Sequence, residues 1–322
     1  MSIPFNPLDY PLSLTMPRHV NVLAWQEHIP FAMVIVQLLR PHSLVELGVH
    51  AGDSYLAFCQ AVQELNLDTA CYGVDTWCGD SHAGHYSDEV LETLRRRHDP
   101  LFGGFSRLVR STFDEALPHF ADASVDLLHI DGLHTYEAVR HDYETWKPKL
   151  SSRGVVLFHD INVRESDFGV WRLWQELSAQ YPGFTFKHGH GLGVLAVGSE
   201  VPEAVLQLIG MDAAAATCTM DYFFALGNRI TQTARLERAE DLVRARDAEI
   251  VALKEQVRQR DAQLQAVQVQ ASSLHHQCAE LRARVAVQDE SLARINHSLS
   301  FRLGMYATSP LRKVMELAAP SK

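Results

Sequence analysis

The residues best able to do chemistry here stand just after short apolar runs. SLVEL is followed by Gly48-Val-His-Ala-Gly52-Asp-Ser54, CYGV by Asp75, VDLLHI by Asp131-Gly-Leu-His134, and GVVLF by His159-Asp160-Ile-Asn162. Glycines at 48 and 52 let the backbone approach a ligand closely, and a helix opening at Ser54 aims its free amide groups at the same place. The spacing is G-x-x-x-G rather than the G-x-G-x-x-G of dinucleotide sites, which disfavours a nicotinamide dehydrogenase. An acid ending the next strand, Asp75, is placed to accept both hydroxyls of a ribose. Together these features favour a nucleoside-bearing cofactor. Asp131 and Asp160, at the ends of neighbouring strands, offer two oxygen donors that suit Mg²⁺ completed by water. His134, three residues beyond Asp131, is placed to take a proton from a hydroxyl held there.

Elements must hold these groups at one mouth. After an irregular arm (1–28) and an apolar helix (29–40) stopped by Pro41, short apolar runs alternate with longer amphipathic ones. Strands are expected at 43–49, 71–77, 105–111, 125–131 and 154–160, with helices at 54–65, 87–98, 113–120, 135–150 and 168–180 and a closing hairpin over 184–198. Alternation at this spacing predicts an α/β fold, a doubly wound and mostly parallel sheet covered on both faces. Ligands of such sheets bind at the carboxyl ends of the strands. The stretch 76–90, with Trp77, His82, His85 and Tyr86, lies beyond Asp75 and reads as a lid or acceptor loop, or as ordinary surface. Arg95, Arg96 and Arg97 read as a solvated helix face, and Phe168–Trp174 as core.

Composition narrows the class. Of the 322 residues, positions 1–228 carry 14 Lys and Arg against 28 Asp and Glu, while the remainder carries 15 against 11. The acidic part lacks the concentrated Lys and Arg of a nucleic-acid surface. No apolar run approaches the roughly 20 residues a bilayer span takes. Met1–Arg18 has no signal-peptide pattern, and five cysteines without zinc-like spacing fit a reduced, cytoplasmic protein.

The ordered set VELGVHAGDS, GVDTW, HIDGLHTYEAV and GVVLFHD resembles the class I S-adenosylmethionine-dependent methyltransferases, over roughly residues 25–200. It is most similar to the branch of metal-dependent O-methyltransferases of sugars and catechols. The resemblance implies a Rossmann-like methyltransferase sheet. It implies that Glu46, Gly48, Gly52 and Ser54 hold the methionine part of the cofactor, that Asp75 holds the ribose, and that Thr112 and Phe113 meet the adenine. It places the first metal aspartate on Asp131, the general base on His134 and the second metal pair on His159-Asp160. Relatives have Asp-Asn or Asp-Asp at that pair, so the register could instead use Asp160 with Asn162. The implied reaction is Mg²⁺-assisted O-methylation of a sugar hydroxyl, in bacterial surface polysaccharide or its lipid-linked precursor.

Beyond Gly227 there is no Gly or Pro until Gly304. Every seventh residue from Leu236 to Leu299 is apolar, and six of the nine partner positions from Ala239 to Ile295 are as well; Arg246, Arg260 and Gln288 are the exceptions. This is a coiled-coil seam that leans towards a parallel dimer, with a trimer open, and implies a homo-oligomer. At 1.5 Å per residue, 236–295 would form a rod of roughly 90 Å. The tail 300–322 is basic and amphipathic and resembles a short segment found after coiled coils in surface-polysaccharide enzymes. It suits a peripheral membrane surface or a partner helix, or is disordered. The expected division is arm 1–28, methyltransferase domain 29–200, helical extension 201–232, coiled coil 233–299 and tail 300–322. A second reading is a scaffold or length-setting protein whose methyltransferase-like domain binds cofactor without essential chemistry.

Overall fold

The computed structural model describes residues 5–21 and 23–307. Two short 3-10 turns in the arm lead into α1 (Leu23–Gln26) and α2 (Ile29–Leu39). Pro30 sits at the start of α2, where its missing N–H costs nothing, and ten of its eleven residues are buried, as befits a helix apolar on all sides. There follow β1 (Ser43–Leu47), α3 (Asp53–Glu64), β2 (Ala70–Asp75), a small hairpin β3 (Gly79–Asp80) and β4 (Gly84–His85), and α4 (Asp88–Phe102). Next come β5 (Ser106–Arg110), α5 (Phe113–Ala116), β6 (Val125–Ile130), α6 (Tyr136–Trp146), β7 (Leu150–His159) and α7 (Val170–Ser178). The sheet closes with β8 (Gly183–Phe186) and β9 (Leu192–Ala196), and α8 (Glu203–Ile209) and α9 (Ala213–His297) complete the order.

The seven-stranded sheet runs β5-β2-β1-β6-β7-β9-β8. All its pairings are parallel except those of β9, which runs against both β7 and β8. The order reverses between β1 and β6, so a crevice opens at the carboxyl ends of these strands. Both faces are covered. One cluster packs α2, α3 and the start of α9 on the sheet through Phe31, Phe58, Phe186 and Phe223. The other packs α6 and α7 through Val139, Trp146, Leu173 and Trp174. Every residue of β6 is buried, as a central strand sandwiched by helices must be. This is the expected doubly wound, Rossmann-like sheet.

Two details differ from expectation. The stretch after Asp75 contains the β3–β4 hairpin, and the strand expected at 154–160 begins at Leu150, pairing with Val125 before its register shifts. The helical extension joins the head: Phe223, Ile230 and Ala234 are buried, and the first compact unit ends at Ala239. The second unit begins at Glu240 and contains the rest of α9, then helical backbone over 299–307. The remainder of the tail, 308–322, lies outside the described residues, as do Met1–Pro4 of the arm.

Candidate active site

The strand ends build the site from two directions. Gly48 and Gly52 both take φ of +90°, a conformation that side chains strain to adopt. At Gly48 there is also no room: a Cβ would lie 2.1 Å from the Asp131 carbonyl oxygen. The β1 loop is thus pressed against the β6 loop, with Asp131 N donating to Leu47 O at 2.8 Å. Asp75 ties this loop to its own. Its Oδ2 accepts from the amides of Val49 and His50, both at 2.9 Å, and its Oδ1 from Trp77 N at 2.7 Å.

These loops surround a cavity of about 450 Å³. Of the residues expected at the site, Gly48, Gly52, Ser54, Asp75, Thr112, Phe113, Asp131, His134, His159 and Asp160 all line it. Glu46 does not: it is fully buried behind the wall, where it accepts from Ser54 Oγ at 2.7 Å and lies 3.0 Å from His129 Nδ1. Burial raises its pKa against the opposing pull of His129 and Ser54. Thr112 caps α5 through a reciprocal pair with Glu115, which fixes the wall beside Phe113.

At the other end of the cavity two carboxylates and two imidazoles converge. His134 Nε2 is 2.8 Å from Asp160 Oδ2 and 3.5 Å from Asp131 Oδ1. His159 Nδ1 is 3.3 Å from each carboxylate, and its Nε2 lies 3.2 Å from Gly189 O. His190 Nδ1 approaches Asp160 Oδ1 at 3.2 Å. Burial alone would raise both aspartates, but the neighbouring histidines hold them well below the usual carboxylate range. Burial opposes charging of His134, yet the two carboxylates push it up to about 9. His159 is raised by the same pair.

The donor set fits a divalent cation. One ligand atom each from Asp131, His134 and Asp160 lies within 4.8 Å of the others. His159 shows its Nδ1 to both carboxylates while Nε2–H donates to a backbone carbonyl, the arrangement that orients metal-ligating histidines. Oxygen donors suit Mg²⁺, whereas the imidazoles extend the fit to Mn²⁺, Fe²⁺ and Zn²⁺. Asn162 turns away from this cluster and donates from Nδ2 to Lys187 O at 2.8 Å, so the pair beside Asp131 is His159-Asp160.

Three contributors were not legible in the strand-end pattern. Trp25, from the arm, lines the cavity and donates its Nε1–H to Asp131 Oδ2 at 2.8 Å. Its ring packs on His129 and His159, with centroids at 4.8 and 5.2 Å. Phe168, read as core, is half-buried and stacks on His134 at 4.8 Å. His82, on the β3–β4 hairpin, stacks on Phe168 at 4.5 Å and bonds Asp167 at 2.6 Å. The aromatic residues of 76–90 divide accordingly. Tyr86 lines the cavity and stacks on His50, His85 is exposed, and Trp77 corrects its expectation. Trp77 is fully buried with Nε1–H on His50 O, so it holds the loop and presents no face to a ligand.

Residues 45–161 match the family model of a methyltransferase domain. That span runs from the middle of β1 to just past Asp160 and includes the residues expected at the cofactor, base and metal positions. The chain is 46% identical over 242 residues to the uncharacterised protein y4gI of Sinorhizobium fredii, a match covering 72% of this chain and 26% of that protein. The chain therefore spans about a quarter of the length of the curated relative it matches. Among solved structures, the chain is similar to the O-methyltransferase TomG of Streptomyces achromogenes, determined in complex with S-adenosylmethionine. That likeness has 13% identity, 60% of this chain, 97% of that one and a TM-score of 0.41. The SAH-bound methyltransferase PaMTH1 of Podospora anserina is similar at 13% identity, 52% and 77% coverage and a TM-score of 0.40.

Proposed function

We propose that the methyltransferase domain binds S-adenosylmethionine in this cavity and moves its methyl group to an acceptor hydroxyl. The observation that carries the reading is the convergence of Asp131, His134 and Asp160 at the cavity end next to the Gly48–Gly52 loop. In this reading Gly48, Gly52 and Ser54 receive the methionine part, Asp75 the ribose, and Thr112 and Phe113 the adenine. Asp131 and Asp160, with His159, hold a divalent cation, which would lower the pKa of the acceptor hydroxyl. With a cation answering the charge of the two carboxylates that otherwise hold its proton, His134 would be free to take the acceptor's proton, and Asp160, 2.8 Å from Nε2, would steady the imidazolium it becomes. Trp25 fixes the Asp131 carboxylate, and Phe168 with His82 shields one face of His134 from water. The chain thus contributes mainly position and electrostatics.

The acceptor class in this proposal is a sugar, free or in a surface glycan or its lipid-linked precursor. Tyr86, which lines the cavity, offers a ring for stacking on a sugar. Among the described residues no helix is long and apolar enough to cross a membrane. The proposed location is cytoplasmic or peripheral at a membrane.

Calorimetry tests the first step: S-adenosylmethionine and its demethylated product should bind the full chain, and Asp75→Ala should weaken both at least tenfold. Failure of either to bind overturns the reading. EDTA treatment should abolish transfer and a divalent ion restore it; full activity after EDTA removes the cation from the proposal. Mass spectrometry of native surface glycans with and without the gene should show one methyl lost from one sugar, and no change overturns the sugar acceptor.

A further inference from the structure

Within the second compact unit, α9 presents an uncovered apolar seam. Val243, Ile250, Val257, Leu264, Val285 and Leu292, all on the first set of seventh positions, are each between 47% and 59% exposed. Their partner positions Leu253, Val267, Leu274, Leu281 and Ile295 are as open. The other exposed apolar residues of this stretch, Leu242, Val251, Val269 and Val287, are scattered around the helix and form no second stripe. An apolar stripe of this period is stable in water only when another helix covers it.

The charges beside the seam say which helix. The seam is broken at Arg246, Arg260 and Gln288, and each break is followed directly by an aspartate: Asp247, Asp261 and Asp289. In a parallel pair of identical helices, a side chain at these partner positions enters a hole whose wall includes the residue one further on in the facing helix. Each polar knob would therefore meet the partner's aspartate. Residues flanking the seam agree. In register, a residue before one apolar layer faces the residue five further on in the other helix. That sets Glu249 against Lys254 and Arg284 against Asp289, both of opposite sign. A slip of one heptad would instead set Glu249 against Asp247 and Asp261, and Arg284 against Arg282. Like charges there are unfavourable, so the pattern selects one register as well as one direction.

We infer that a second copy of this chain packs along residues 243–295 of α9 as a parallel, in-register, two-stranded coiled coil that sets the two Cys278 side chains face to face in one seam layer. Cys278 is exposed and free in the single chain. Facing residues in one layer of such a pair come within the reach a disulfide requires.

The full chain tests this directly, and independently of any methyl transfer. Under reducing conditions, sedimentation equilibrium at micromolar concentration should give twice the 36.2 kDa chain mass. A monomer mass overturns the inference, and a threefold mass overturns two strands. In a Cys78→Ser, Cys218→Ser background, the oxidant diamide should convert the pair to a disulfide-linked dimer. Each Cys278 thiol gives up one proton and one electron, and the diazene is reduced to the hydrazine. Additional Cys278→Ser should abolish the product. A twofold mass without this cross-link overturns the parallel, in-register arrangement. Arg284→Glu should weaken the dimer about tenfold, from two reversed pairs of the size seen at exposed positions, and adding Asp289→Arg should restore it. Absence of rescue overturns the register.

Discussion

The two compact units handle the same kinds of residue in opposite ways. In the first, most large apolar side chains are covered and several charged ones are buried with partners: Glu46 with Ser54, Asp126 with Ser151 and His42, and Asp160 with three histidines. In the second, every described seam residue is open and ion pairs along the helix, such as Arg246–Glu249, are exposed. A buried charge is costly unless neighbours answer it, so clusters of such charges mark where a fold holds reactive groups. An open apolar stripe marks a surface that is completed from outside. The first unit gathers buried charges that answer one another, and the second leaves its apolar stripe open.

Substitutions can break that division. The largest effect is expected for His134→Ala, which should lower kcat by about 10²–10⁴ while leaving cofactor affinity within a few fold. The same activity measured on an α9 seam variant such as Leu264→Asp should be unchanged per head. An equal loss in both would show that the division is false. Gly48→Ala comes next, because the new methyl must enter the Asp131 carbonyl and a strained φ is imposed. Thermal unfolding should fall by the equivalent of about 2–4 kcal/mol, with cofactor affinity falling in step.

A smaller effect sharpens the contrast in burial. Burial pushes the Asp142 carboxyl on α6 up to about 7. A carboxyl raised in the folded state contributes stability below its unfolded value near 4, and that contribution is lost as pH rises through about 7. Asp142→Asn should therefore leave the melting temperature unchanged at pH 4 and raise it by several degrees at pH 8. A pH-independent change would show that the carboxyl is not the cause. The smallest effect belongs to the helix: Arg260→Leu should raise the stability of the associated state by about 1 kcal/mol, at a cost in register specificity. Concentration-dependent melting would report it, and a decrease would place Arg260 outside the seam.

Much of the site was readable in order. Asp75, Asp131 and His159-Asp160 follow apolar runs, and a parallel sheet brings all its strand ends to one side, so residues scattered over 86 positions converge without any knowledge of side-chain packing. Asn162 against His159 was not readable. His159 ends the strand and Asn162 follows it closely, and only the turn at Asp160, with its positive φ, aims one inward and the other towards Lys187. Trp25 was invisible for another reason. It lies 106 residues from the aspartate it bonds, in an irregular arm without periodicity. The stacking of Phe168 on His134 was hidden because an aromatic in an apolar run reads as core.

By itself the sequence determined what repeats or alternates: the α/β layering, the glycines or acids at several strand ends, and the apolar seam on α9. Those are local consequences of period and residue type, written at every position that shares them. The tertiary structure alone decided which groups touch. It placed Glu46 behind the wall and Trp77 in the core, brought His159 between two carboxylates, and set the arm's indole on Asp131. Such contacts join segments far apart in the chain, and their geometry follows from packing, which no stretch of sequence holds on its own.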